Sequence, residues 1–359
     1  MRHGSPTRLP HVLAALYALA IAYASLQPFG PWLPPPPGTP YFLLGPWPSR
    51  LPRYDIVINL LAYLPLGFFV ALLPARAPPW RRIVTGAGAG AALSLAMESL
   101  QMLVPPRDAN AYDFVFNALG ALIGASLGAG LARSSRLKER ITAARVRWFM
   151  PGNLGDIGLA LLAVWLVAQL NPGIALFAVT YDPRPLTVGL PVDGAALLLD
   201  AAGSAFQLIG MALFVTLLMR ERDDARGGVL LLIGAALLIK GFGAALLLKP
   251  AVWQTWIQPG VLIGIATGAL LLPVAMTLPR PAQVATCGIA LLASLGTPLL
   301  APELITAPAP LAMFEWRYGQ LLNYNGLTHA ALMLWPILAA GWLFALAGRP
   351  AWGRPNQAA

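Results

Sequence analysis

The chain has 359 residues, 58% hydrophobic and 11% charged, with a formal net charge of +10. That balance excludes an ordinary soluble domain and predicts an all-α, polytopic transmembrane helical bundle. The basic residues fall between apolar runs, where they act as topology signals, so nucleic-acid binding is excluded as their explanation.

A helix needs about 17 to 25 apolar residues to cross the hydrocarbon core. About ten runs qualify: 11–28, 55–74, 83–103, 113–131, 154–171, 194–219, 228–248, 258–278, 283–300 and 329–347. The first follows a basic start and ends near Ala22, Tyr23 and Ala24, as a cleavable signal peptide does, but the equally long runs behind it favour an uncleaved anchor. With the N-terminus inside, seventeen Lys and Arg fall in inner loops and six in outer ones, with Lys240 inside a span. Both termini are therefore expected in the cytoplasm.

After the first span, residues 27–54 are rich in Pro and Trp and predict extended backbone over the outer mouth of the bundle. In the second span Asp55, Asn59 and Tyr63 recur at steps of four, on one helix face. Pro65 and Gly67 further along predict a local opening of that helix. The third span carries "GAGAG" at 86–90, then Glu98 and Gln101 on one face. Glu98 lies about 7 to 8 Å below the outer end at 1.5 Å per residue. The connection "VPPRDANAY" holds Arg107 above the same level. The fourth span opens with Asp113 and Asn117 and continues with Gly120, Gly124 and Gly128, the small-xxx-small pattern of close helix packing.

Three neighbouring helices thus set carboxylates and carboxamides at one depth. A charge there costs on the order of 2.5 to 3.5 kcal/mol on insertion scales, so these groups are expected to face the bundle interior or an aqueous cavity. They suit a head-group grip, a divalent ion held against a phosphate, an acid and a base, or a self-satisfied network that pins the helices together.

The series Asp55, Asn59 and "PLG", then Glu98-x-x-Gln101, Pro105-Pro106-Arg107 and Asp113-x-x-x-Asn117-x-x-Gly120-x-x-x-Gly124, resembles the VanZ-like domain of bacterial membrane proteins over roughly residues 10–131. The resemblance implies a multi-pass protein of the bacterial cytoplasmic membrane. Through the family's namesake it implies a link to low-level resistance to the glycopeptide teicoplanin, and it implies no particular reaction. It divides the chain into a VanZ-like four-helix domain (1–132), a basic cytoplasmic linker (133–153) and a six-span C-terminal domain of unknown role (154–359).

The linker sequence "ARSSRLKERITAARVRW" is read as a solvated positive-inside loop in preference to an amphipathic helix on anionic lipid. Beyond it, Gln169 and Asn171, before Pro172, mark the outer end of the fifth span. Asp200 and Lys240 lie about 9 and 13 Å inside their spans, close enough in depth to pair. With Gln207 below, the pair serves either an ion or proton path or the mutual neutralisation of two helices. The single cysteine, Cys287, is expected to be a small buried hydrophobe. A loop carrying Glu303, Glu315, Arg317, Asn323, Asn325 and His329 is long enough for a lid, with His329 as a base, a ligand or a cap.

No GxSxG elbow, HExxH pair, P-loop or Rossmann glycine pattern occurs, so no motif commits the chain to a reaction, a cofactor or a metal. The functional expectation is an outward-facing polar pocket of Asp55, Asn59, Tyr63, Glu98, Gln101, Arg107, Asp113 and Asn117. It would recognise a lipid-linked or envelope head group, with membrane lipids as partners. The alternatives are a transporter or flippase working through Asp200 and Lys240, and a non-catalytic membrane scaffold.

Overall fold

The computed structural model describes residues 8–47, 53–105, 107–179, 194–253, 256–300 and 319–349. All regular elements among the described residues are helical, and eight helices are long and apolar enough to cross a membrane. The ten expected runs fall in α1 (Leu9–Leu26), α2 (Arg53–Leu72), α3 (Pro79–Gln101), α4 (Ala111–Arg133), α6 (Asn153–Gln169), α7 (Gly194–Leu218), α8 (Ala225–Leu247), α9 (Pro259–Thr277), α10 (Arg280–Leu300) and α11 (Gly319–Ala347). Prolines near the first turns of α1, α3 and α9 mark their starts, where a missing N–H costs nothing.

Three local expectations change. The basic linker is not a loop: Ser135–Trp148 forms α5, because a run of Arg, Lys, Glu, Leu and Ala without Gly or Pro has strong helix propensity. Helix α2 continues through Pro65 without opening. Helix α11 begins at Gly319, so Asn323 and Asn325 belong to a helix and not to a lid; Glu303, Glu315 and Arg317 lie outside the described residues.

The chain divides into two compact units, Pro6–Arg145 and one built on Val146–Ala359. In the first, α4 packs along both α2 and α3. A methyl group at Gly120 would strike the carbonyl oxygen of Leu60, one at Gly124 that of Leu64, and one at Gly128 would stand 2.6 Å from that of Phe68. The matching four-residue steps show that α2 and α4 run in the same direction in backbone contact. Gly67 meets the Ala121 carbonyl, while Gly86 and Gly90 face Ala125 and Ala121, so α3 closes on the same seam. Without a hydrophobic drive between helices in lipid, such close approach supplies the packing that holds them.

Helix ends in this unit are fully accounted for at α1. Its last four carbonyls, Tyr23 to Leu26, accept from Gln27 N, Arg107 Nη2, Gln101 Nε2 and Phe29 N. At the opposite end, buried Arg82 donates to the carbonyls of Ala71, Ala75 and Ala77, clamping the α2–α3 connection. The connection after α1 folds back on the bundle: Leu33 N donates to Leu103 O at 2.8 Å, Tyr41 Oη and Ser99 Oγ share a hydrogen bond of 2.7 Å, and Phe42 is buried against Phe114.

In the second unit α7 is central, with 83% of its apolar window buried. Gly260, Gly264 and Gly268 of α9 lie on it as a second glycine seam. Trp165, Phe214, Trp335 and Trp342 fill the core, and the three indole N–H groups donate to the carbonyls of Ala178, Leu161 and Leu154, each at 2.8 Å. Cys287 is buried in this core, with its thiol 3.3 Å from the Gly210 carbonyl.

Candidate functional site

The site grows out of one stripe on each of three helices. On α2 the stripe reads Asp55, Asn59, Tyr63, Gly67; on α3 it reads Gly86, Gly90, Ser94, Glu98; on α4 it reads Asp113, Asn117, Gly120 or Ala121, Gly124. Four-residue steps keep each set on one face. At one end the stripes are glycine and the backbones touch. Toward the end that carries the α1–α2 and α3–α4 connections, side chains lengthen and become polar, so the close-packed seam passes into a polar cluster.

The cluster is built from contacts across all three helices. Asn59 Nδ2 on α2 donates to Asp113 Oδ1 on α4. Asn117 Nδ2 on α4 donates to Ser94 Oγ on α3 at 3.0 Å. Glu98, only 4% exposed, accepts from the backbone N–H of Asn110 at 3.0 Å. Asn117 Oδ1 is buried here without a hydrogen-bond partner, and the buried Tyr63 hydroxyl is directed at Ser94 without closing a hydrogen bond of normal geometry. Turning the Asn117 amide over would leave its nitrogen unpartnered instead, so one end of that amide is open either way. Tyr63 lies in the field of Glu98 and Asp113.

Above the cluster is a recess of about 260 Å³ lined by Thr39, Phe42, Trp47, Asp108, Asn110 and Tyr112, among others. Asn110 belongs to both places, lining the recess while its N–H holds Glu98. Tyr112 on the same wall feels all four carboxylates of this end, Asp55, Glu98, Asp108 and Asp113.

The structure brings together Asn59, Tyr63, Glu98, Asp113 and Asn117, with Asp55 in the same field. Gln101 and Arg107 instead turn to α1, where they cap the carbonyls of Ser25 and Ala24. Burial pulls the Arg107 guanidinium below its ordinary pKa, and the nearby Glu98 carboxylate opposes that shift. Gly120, Gly124 and Gly128 all lie on α2. Ser94, Asp108 and Asn110 were not among the expected site residues. Ser94 had a legible signal, four residues before Glu98 on the same face; the roles of Asp108 and of the Asn110 backbone depend on loop geometry.

The expected pairing of Asp200 with Lys240 is overturned. Lys240 is fully buried, and its ammonium donates to the carbonyls of Asn171 at 2.7 Å and Ile174 at 2.8 Å. Asp200 stands on the α9 side of α7, against Gly260. The acceptors prevail because the chain after α6 leaves its helix while buried, and its freed carbonyls need donors. Gln169 and Asn171 close the end of α6, as expected, and serve the same buried turn, both fully buried: Gln169 binds Phe177 N and Ala178 O, and Asn171 binds Gly173 N, Asn325 and Thr328. Gln207 is buried in α7, and His329 sits in α11, one residue after Thr328. Among the described residues no three His, Cys, Asp or Glu side chains are grouped as metal ligands.

Residues 14–132 match the family model described as VanZ/LLP1, so the chain carries an N-terminal VanZ-like domain. The match covers the helices that build the polar cluster and stops before α5. No curated protein and no solved structure matches the chain.

Proposed function

We propose that the VanZ-like domain binds the polar head of a lipid-linked component of the cell envelope, at the end of the domain that the positive-inside bias turns outward from the bacterial cytoplasmic membrane. The observation that carries this reading is the buried, open Asn117 amide beside a Tyr63 hydroxyl that reaches only toward Ser94, both set among Asn59, Glu98 and Asp113. A network that only joined helices would close its own hydrogen bonds, because an open buried group costs about 1 to 3 kcal/mol. An arriving head group supplies the missing partners.

The charge balance narrows the chemistry of that head group. Asp55, Glu98, Asp108 and Asp113 share one field, against a single nearby cation, Arg107, whose Nη2 is held by the Ala24 carbonyl. Acceptors in excess favour a head group rich in donors, hydroxyl or ammonium, over a bare phosphate. Aromatic faces at Trp47 and Tyr112 suit either the apolar face of a sugar or a cation. Holding such a precursor alters the envelope and, with it, susceptibility to teicoplanin-type glycopeptides. The transporter alternative is less well supported, since Lys240 donates to the carbonyls of Asn171 and Ile174.

The test compares wild type with Glu98→Gln and Tyr63→Phe at matched membrane levels, with Arg107→Ala as a variant that disturbs the α1 cap. Co-purifying lipids are identified by mass spectrometry and teicoplanin susceptibility is measured in parallel. A sugar- or amine-bearing lipid retained by wild type and lost from both pocket variants supports the proposal. Identical lipid content and susceptibility in all three overturns it, and a phenotype that merely follows protein level indicates a scaffold.

A further inference from the structure

Helix α5 is unlike the others. Its fourteen residues include no buried one, and its sequence, SRLKERITAARVRW, carries five basic residues and one acidic. At 3.6 residues per turn, Leu137, Ile141, Ala144 and Trp148 fall within an arc of about 60°. Arg136, Arg140 and Arg147 border that arc on one side; Lys138 and Arg145 border it on the other. Glu139, Thr142, Ser135 and the half-exposed Val146 lie opposite. Most of the apolar arc has no cover among the described residues, with Leu137 47% exposed and Ile141 51%; only Trp148, at its end, packs against the core of the second unit.

We propose that α5 is an interfacial helix that lies on the cytoplasmic surface of the bilayer and binds anionic phospholipid head groups. Two observations select this occupant over a protein partner. The first is charge complementarity: Arg136, Arg140 and Arg147 on one side and Lys138 on the other flank the apolar stripe, where their long stems lie over hydrocarbon and their heads reach the phosphate level, while Arg145 is turned into the protein with its Nε buried. A groove in a protein would bury those flanks and leave the cations without water. The second is continuity. α5 follows α4, a candidate span, after the single residue Ser134, and its last residue, Trp148, precedes α6 by four residues. It is therefore held at a bilayer surface by the chain itself. Arg147 stacks over the Trp148 ring at 5.2 Å, which places an aromatic and a cation together at the end of the stripe, the pairing favoured at a headgroup interface. The inference is independent of the proposed pocket, since α5 lies outside the family match.

The experiment uses the full chain in nanodiscs, with a nitroxide on Ile141→Cys or on Glu139→Cys; native Cys287 is buried and hydrogen-bonded. Collision with oxygen, which partitions into acyl chains, is compared with collision with a water-soluble nickel chelate. In discs containing phosphatidylglycerol, the label at 141 is expected to favour oxygen and the label at 139 nickel. In phosphatidylcholine alone, and in an Arg136→Gln/Arg140→Gln/Arg147→Gln background, the label at 141 should shift toward nickel. Each flanking charge removed lowers the surface-bound to free ratio about fivefold. Equal nickel access at both positions in the anionic discs overturns the proposal. So does a label at 141 shielded from both reagents, which indicates a protein cover. A label at 141 that favours oxygen equally in both lipids and in the triple variant overturns the recognition of anionic lipid.

Discussion

The backbone N–H of Asn110 donates to the Glu98 carboxylate at 3.0 Å, and the same residue lines the recess above, so one peptide is the partition between an open pocket and a buried polar cluster. Whatever disturbs Glu98 therefore reaches the recess through Asn110. Glu98→Gln preserves an acceptor for that N–H, whereas Glu98→Ala leaves it without one. Thermal unfolding in detergent should show Glu98→Ala destabilised by about 1 to 3 kcal/mol and Glu98→Gln by clearly less. Equal losses would mean that the charge, and not the hydrogen bond, holds the connection.

Tyr63→Phe removes an oxygen whose one neighbour of hydrogen-bonding type is Ser94, with no hydrogen bond of normal geometry closed between them. Deleting an open buried polar atom is neutral or stabilising for the fold. The expected result is an unchanged or slightly raised Tm together with weaker retention of the bound lipid. A clear fall in Tm would assign the hydroxyl a structural partner instead.

The glycine seam makes a sharp contrast with an open glycine on the neighbouring helix. A methyl at Gly124 meets the Leu64 carbonyl, which belongs to backbone and cannot step aside, whereas one at Gly88 meets nothing within 4 Å. Gly124→Ala should cost about 1 to 3 kcal/mol through overpacking. Gly88→Ala should stay near wild type or gain slightly from helix propensity. Comparable behaviour of the two variants in a melting series would contradict the contact between α2 and α4.

Lys240→Met retains much of the apolar stem but leaves the carbonyls of Asn171 and Ile174 without their donor, for an expected loss of about 1 to 3 kcal/mol. Asp200→Asn should combine with it additively, within about 0.5 kcal/mol, because Lys240 donates to the buried turn while Asp200 stands against Gly260 of α9. A double-mutant cycle with a larger coupling would restore the pair that the fold keeps apart.

Much of this architecture is legible in the chain itself. Ten apolar runs became ten helices because a helix satisfies its own backbone, and in lipid that requirement outweighs most local preferences. The stripes Asp55–Asn59–Tyr63 and Asp113–Asn117 were readable for the same reason, since 3.6 residues per turn is a local property. The helicity of α5 was available too, in the propensities of its residues, but the density of charge argued more loudly for a solvated loop.

What sequence by itself determined, then, is where helices run and which side chains share a face. Only the tertiary structure decided what each polar side chain meets. Gln101 and Arg107 lie near the acidic cluster along the chain and yet serve the carbonyls of α1; Lys240 matches Asp200 in depth and yet serves a buried turn. In each case the partner is a backbone carbonyl. Every residue has one, so nothing in the order of side chains marks which of them the fold will leave without a donor.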